Sequence, residues 1–172
     1  MKTKEQVRRT ISDSEILGRE LTRKLCEQNG WDFYESVGEY THYDCFIDIG
    51  DIHCIGEIKV RNVKFASKPT LHFEVKKYNE LQDASDFEAT DGILYINWLG
   101  NECYVFEITD ELIENTEKGV SLSNKTTARS RLYEDKIEKE MYFLDKRKAK
   151  KYTLRNFENI RKRIIREHNL SM

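Results

Sequence analysis

Tyr43-Asp44-Cys45-Phe46-Ile47-Asp48-Ile49-Gly50-Asp51-Ile52-His53-Cys54-Ile55-Gly56-Glu57-Ile58-Lys59-Val60 is the stretch on which the fold turns. Two β-rich runs flank Gly50 and Asp51, and a two-residue break of this kind predicts a hairpin. With those two residues in the turn, Ile49 faces Ile52 and every opposed pair of numbers sums to 101. Asp44 then lies opposite Glu57 on the same face, and Lys59, two positions on, shares that face. Opposed Cβ atoms about 4.5 to 5.5 Å apart allow two carboxylates to hold one divalent cation. Phe46, Ile47, Ile49, Ile55, Ile58 and Val60 mark the hairpin as interior, where like carboxylates repel and unpaired charge is costly. Hard oxygen donors favour magnesium or manganese over zinc. Lys59 would orient or deprotonate an attacking water, or offset charge growing on phosphorus. The bland alternative is an ion-pair network on a solvated hairpin face.

Outward from the hairpin, Ser12 and Glu15 have capping-box spacing, Leu17, Leu21 and Leu25 recur every fourth residue, and Gly30 stands at a helix end, predicting a helix over 13–29. Residues 71–86 begin extended and become helical from Lys77. Strands over 92–99 and 102–108 flank a second two-residue turn, Gly100 and Asn101. A short helix follows Thr109, a Ser/Thr-rich loop covers 119–131, and 140–144 forms a short strand. Leu154, Phe157, Ile160 and Ile164 fall at helical spacing among basic residues, predicting a basic amphipathic C-terminal helix. The expected architecture is an α/β domain, a mixed sheet flanked by helices. One domain spans 1–172, with a core over about 12–145 and a basic helical extension over about 146–172.

The chain of 172 residues fits that single domain, with 35% charged residues and 11% aromatics, enough apolar material for a core. No apolar run reaches the ~18 residues of a membrane span, and Met1 to Arg9 is polar and basic, so the expected location is the cytoplasm. Cys26, Cys45, Cys54 and Cys103 form no CxxC pair, and the four histidines form no HExxH, which excludes zinc ribbons and zincins. Formal charge is -9 over residues 1–128 and +7 over 129–172. The basic end, with Lys146, Arg147, Lys148, Lys150, Lys151 and Arg163, suits a polyanion such as a nucleic-acid backbone, or is a solvated helix face. Asp48 and His53 oppose each other beside the turn as a surface pair, and His42 lies across from Lys59 without an assigned role. Trp31, Phe33, Trp98, Tyr104 and Phe106 read as core.

Asp44, twelve intervening residues, then Glu57-Ile58-Lys59 resembles the motif of the PD-(D/E)XK nuclease superfamily, the restriction-endonuclease-like fold. The layout over 13–108 is similar too: a helix before the motif hairpin, and a helix with further strands after it. The resemblance implies that Asp44 and Glu57 are metal ligands, that the Ile58 backbone carbonyl is a third, and that Lys59 is the catalytic lysine. It also implies a further acid on the first helix. Glu20, at the border of the buried face three residues after Leu17, is the choice, because capping uses Glu15. The implied cofactor is magnesium or manganese, and the implied reaction is hydrolysis of DNA phosphodiester bonds. Lys77 and Gln82 are helper candidates on the following helix. Tyr43 stands where the family's name places proline. A second ExK triplet, Glu74-Val75-Lys76, has no opposing aspartate and adjoins a helix start. Small size and the lack of a recognition motif suggest a homodimer or a nuclease directed by a partner. The rival function is a catalytically silent nucleic-acid-binding or partner-binding protein of the same fold.

Overall fold

The structure, a computed structural model, describes residues 4–36, 41–124 and 136–172. Helix α1 (Lys4–Asn29) starts well before the expected position and ends at Gly30, whose φ of 71° suits glycine. The Ser12 side chain, the expected cap, lies outside the described residues. Strands β1 (Asp32–Glu35), β2 (Cys45–Ile49) and β3 (Ile52–Val60) follow, then β4 (Thr70–Glu74) and helix α2 (Val75–Glu88). Next come β5 (Gly92–Leu99), β6 (Glu102–Glu107), helix α3 (Asp110–Glu114), β7 (Lys118–Asn124) and β8 (Lys136–Asp145). The chain closes with β9 (Lys150–Thr153) and helix α4 (Phe157–Glu167).

A six-stranded mixed sheet has the order β1-β2-β3-β5-β6-β9, and a three-stranded sheet the order β4-β8-β7. Both two-residue turns form as expected, with Gly50 at φ 61° and Gly100 at φ 58°. The hairpin register is the one the turn dictates, from Ile49 opposite Ile52 through Cys45 opposite Gly56. Strands β3 and β5 are parallel, joined by a crossover through β4 and α2.

Alternation along the strands sends side chains to two apolar layers. On one face, Leu17, Leu21 and Leu25 of α1 and Ile164 of α4 pack with Cys45, Ile47, Cys54, Ile96 and Trp98. All four cysteines are free and buried in this layer as small hydrophobes. Thr22 stitches helix to sheet: its hydroxyl donates to the Gly18 carbonyl at 2.7 Å and accepts from Trp98 Nε1 at 3.0 Å. On the other face, Ile55, Ile93, Tyr95 and Phe106 meet Leu81 of α2, Leu71 and Phe73 of β4 and Leu144 of β8.

Three expectations need correction. Residues 118–124 are a strand, not a loop, because Val120 and Leu122 alternate with Ser and pair along β8; residues 125–131 lie outside the described set. The short strand at 140–144 is ten residues long, since it pairs on both sides, with β4 and with β7. The basic extension is not helical throughout: Lys150–Thr153 pair with β6 and add the sixth strand of the main sheet. No helix among the described residues is long and apolar enough to cross a membrane.

A Cβ at Gly18 would sit 2.9 Å from Ile58 Cγ2 and 3.2 Å from Val60 Cγ2, both on stiff β-branched side chains. Gly18→Val should therefore lower stability by about 1–3 kcal/mol despite its better helix propensity, read as a lower urea midpoint.

Candidate functional site

The site forms where β2 stops pairing with β3. The ladder holds to Cys45 and Gly56, and there the Asp44 N–H donates to the Gly56 carbonyl at 2.8 Å, one residue out of register. The Asp44 carboxylate lies alongside the β3 backbone, Oδ2 accepting from the Ile58 N–H at 2.8 Å. A strand residue sends its N–H and C=O to the same side, so the Ile58 carbonyl also projects toward the Asp44 side.

Glu57 stands on the α2 face and is 6% exposed, so the solvated-face alternative fails for it. Its carboxylate meets Lys59 Nζ at 3.5 Å and Lys77 Nζ, from the first turn of α2, at 3.7 Å. Burial, then the Asp44 charge, push the Glu57 carboxyl up to about 7 against the pull of both lysines. Burial pulls the Lys59 ammonium down, but Glu57 and Tyr95 outweigh it and leave its pKa raised. Lys59 is thus an ammonium at neutral pH.

The network extends to groups that the sequence did not single out. Lys77 reaches Glu80 Oε2 at 3.4 Å and donates to the His42 carbonyl at 3.3 Å, and His42 Nδ1 lies 3.4 Å from the same Glu80 oxygen. Glu80 lies one turn after Lys77, a helical spacing visible in sequence. Arg19 was also missed: its Nη2 is 3.3 Å from Asp44 Oδ1. Its position beside Glu20 was the available signal. Arg61, two residues beyond Lys59, donates from Nε to Asn97 Oδ1 at 2.8 Å and from Nη2 to the His72 carbonyl at 2.6 Å.

Asp44, Glu57, Ile58, Lys59 and Lys77 thus come together. Glu20 does not join them through any described contact. It belongs to α1, which packs on the opposite face of the sheet, and its ion pair is with Arg23 at 3.6 Å. Gln82 is in α2, away from the Glu57 cluster, beside Tyr78. Glu74 ends β4 opposite Met141 and pairs with Lys139 at 3.6 Å, so the second ExK triplet faces no aspartate. Asp48 and His53 do oppose each other and share a short hydrogen bond.

The basic residues scatter. Lys146 Nζ donates to the Phe65 and Ala66 carbonyls, and Arg147 pairs with Asp145 at 2.8 Å. Lys148, Lys150, Lys151 and Arg163 are exposed, with Lys151 3.6 Å from Glu102. Register places Lys59, Asn97, Tyr104 and Lys151 in one row across the sheet on the Glu57 face, whereas Lys150, opposite Val105, points to the other face.

Among the described residues no group of three or more His, Cys, Asp or Glu side chains is arranged to hold a metal ion. Two carboxylates and a carbonyl are nevertheless a set of hard oxygen donors of the kind magnesium takes, the remaining positions going to water and phosphate. A buried carboxylate destabilised by its neighbour is the group a cation would relieve. No family model, curated protein or solved structure matches the chain.

The raised carboxyl makes a pH prediction. Folded Glu57 keeps its proton to higher pH than the unfolded 4.5, so the stability it contributes is complete below about pH 4.5 and is lost as pH rises through about 7. In EDTA, Glu57→Gln should gain on the wild type between pH 5 and pH 8, by on the order of 3 kcal/mol at most. Parallel denaturation curves for the two proteins would contradict the assignment.

Proposed function

We propose that the chain is a divalent-cation-dependent nuclease of the PD-(D/E)XK type, hydrolysing DNA phosphodiester bonds. The observation that carries the reading is the Glu57 carboxyl, its pKa raised by burial and then by Asp44, contacted by Lys59 beside the unpaired end of β2. The helix, hairpin, crossover helix and following strand pair also stand in the chain order of that family, which supports a restriction-endonuclease-like fold.

In this reading Asp44, Glu57 and the Ile58 carbonyl hold magnesium or manganese, and Glu20 is left with its pair to Arg23. When bound, the cation supplies Lewis-acid polarisation of phosphate and a more acidic water. The protein's own groups do the rest. Lys59 remains an ammonium, which disfavours it as a base; it orients water and offsets negative charge on the phosphate. Lys77 supports the ionised form of Glu57 from the α2 side. Lys148 and Lys151 supply exposed cations for backbone phosphates, contacts that position DNA without reading bases, whereas Arg163 belongs to α4 on the other face of the sheet. Sequence or structure selectivity would come from a second copy of the chain or from a targeting partner.

One observation favours the rival, non-cleaving reading: each acid already has a cationic partner, Arg19 on Asp44 and two lysines on Glu57. Cutting assays separate the two. Supercoiled, linear, branched and single-stranded DNA would be incubated in magnesium, manganese or EDTA. The nuclease reading expects cleavage that EDTA abolishes and that Asp44→Ala, Glu57→Ala and Lys59→Ala each reduce by about 100-fold or more. Cleavage that survives Glu57→Ala, or DNA binding without cleavage under every condition, would overturn it.

A further inference from the structure

Arg19 is held in an unusual way. One Asp44 oxygen, Oδ2, is committed to the Ile58 N–H, and the other, Oδ1, faces Arg19 Nη2 at 3.3 Å. That is a single long contact where a guanidinium and a carboxylate can form two short parallel bonds. Arg19 Nε is buried and, among the described residues, is the one buried side-chain nitrogen or oxygen without a hydrogen-bond partner. Buried donors are nearly always paired, because leaving one unpaired forfeits its hydration for nothing. Neighbouring acids offer no relief: Glu20 pairs with Arg23, which also reaches Glu35 at 2.8 Å. Arg19 therefore carries an idle half of a planar fork beside its contact to Asp44, of a kind suited to an oxyanion.

The Ile58 N–H already takes one lone pair of Asp44 Oδ2, which leaves Oδ1, the oxygen Arg19 faces, as the freer of the two for a cation. We propose, resting on the nuclease reading, that Arg19 is a displaceable counter-cation: it neutralises Asp44 until a divalent cation takes Oδ1, and its guanidinium then turns to a phosphate oxygen of the substrate. Two like charges cannot both sit at full strength on one carboxylate oxygen, so the loss of one contact is coupled to the gain of the other. The idle Nε and the released Nη2 then bind phosphate as a pair. Substrate would thereby be gripped fully only when the cation is in place.

The test uses the full chain and two readouts other than cutting. Manganese is titrated without DNA, the free ion being followed by electron paramagnetic resonance, and DNA affinity is measured in calcium and in EDTA. Asp44→Asn should abolish the manganese site, and Arg19→Gln should tighten it about fivefold, the scale of one partly exposed ion pair. Arg19→Lys keeps the charge without the fork. It should hold manganese affinity near the wild type yet, like Arg19→Gln, lose DNA affinity about fivefold in calcium and little in EDTA. Manganese binding that needs Asp44 but is no tighter in Arg19→Gln overturns the counter-cation role and leaves the metal site standing. A DNA defect of equal size in calcium and EDTA overturns the handover. Manganese binding indifferent to Asp44→Asn overturns both this proposal and the metal site it rests on.

Discussion

Burial of the Glu57 carboxylate is the constraint around which the site is arranged. A carboxylate taken out of water resists ionisation, and Asp44 beside it adds to the resistance. The chain answers with two ammonium groups from different elements, Lys59 on the same strand and Lys77 on the crossover helix, 3.5 and 3.7 Å from Glu57. Lys77 in turn needs Glu80 and the His42 carbonyl to settle it. The first turn of α2, the segment before β2 and the middle of β3 are thus tied together by one buried charge. Buried pairs of this kind are weak devices for stability, since apolar residues of equal volume would do as well or better.

The ladder is closely packed at the end where the second acid sits. A Cβ on Gly56 would lie 2.7 Å from Cys45 Sγ and 3.3 Å from Ile96 Cδ1, so glycine leaves the room that those two side chains fill. Immediately past that point β2 leaves the ladder, and the Ile58 N–H, with no strand partner on that side, takes the Asp44 carboxylate instead. The strand end therefore does two things at once: it satisfies a backbone donor and it anchors an acid next to a backbone carbonyl.

The register of the motif hairpin was legible as far as Cys45 opposite Gly56, because a two-residue turn fixes the pairing. The expected Asp44–Glu57 pair does not form: β2 has left the ladder there, the Asp44 N–H goes to the Gly56 carbonyl and its carboxylate meets Arg19 of α1. Lys77 was legible only as a helper candidate on the helix after the motif, and its contact with Glu57 came with the structure. Arg19 was not legible, because its contact joins residues 25 apart and depends on how α1 crosses the strand ends. Glu20 looked inward by helical spacing, but that spacing describes one helix and says nothing of which side of the sheet the helix covers. The misreading of 118–124 has a different cause. Val120 and Leu122 show the strand period plainly, yet both are exposed, so the segment carries the composition of a loop.

Strand alternation also limits what the basic C-terminal segment can do. Read as a charge run, Lys146 to Lys151 looks like one patch, but folding disperses it. Lys146 is consumed by two carbonyls, Arg147 by Asp145, and Lys150 is sent to the face of the sheet away from Glu57. Lys151 alone of the run is placed by register on the Glu57 face, in the row that begins at Lys59. With strands about 4.8 Å apart, three steps from β3 to β9 separate the two by roughly 14 Å, the rise of about four nucleotides in one B-form strand. Lys151 is itself 3.6 Å from Glu102, so what it adds to that row is a paired cation and not a free positive edge. The full +7 of the C-terminal region therefore overstates the charge available at this face, because Lys146, Arg147 and Lys151 already have partners and Lys150 points to the other side.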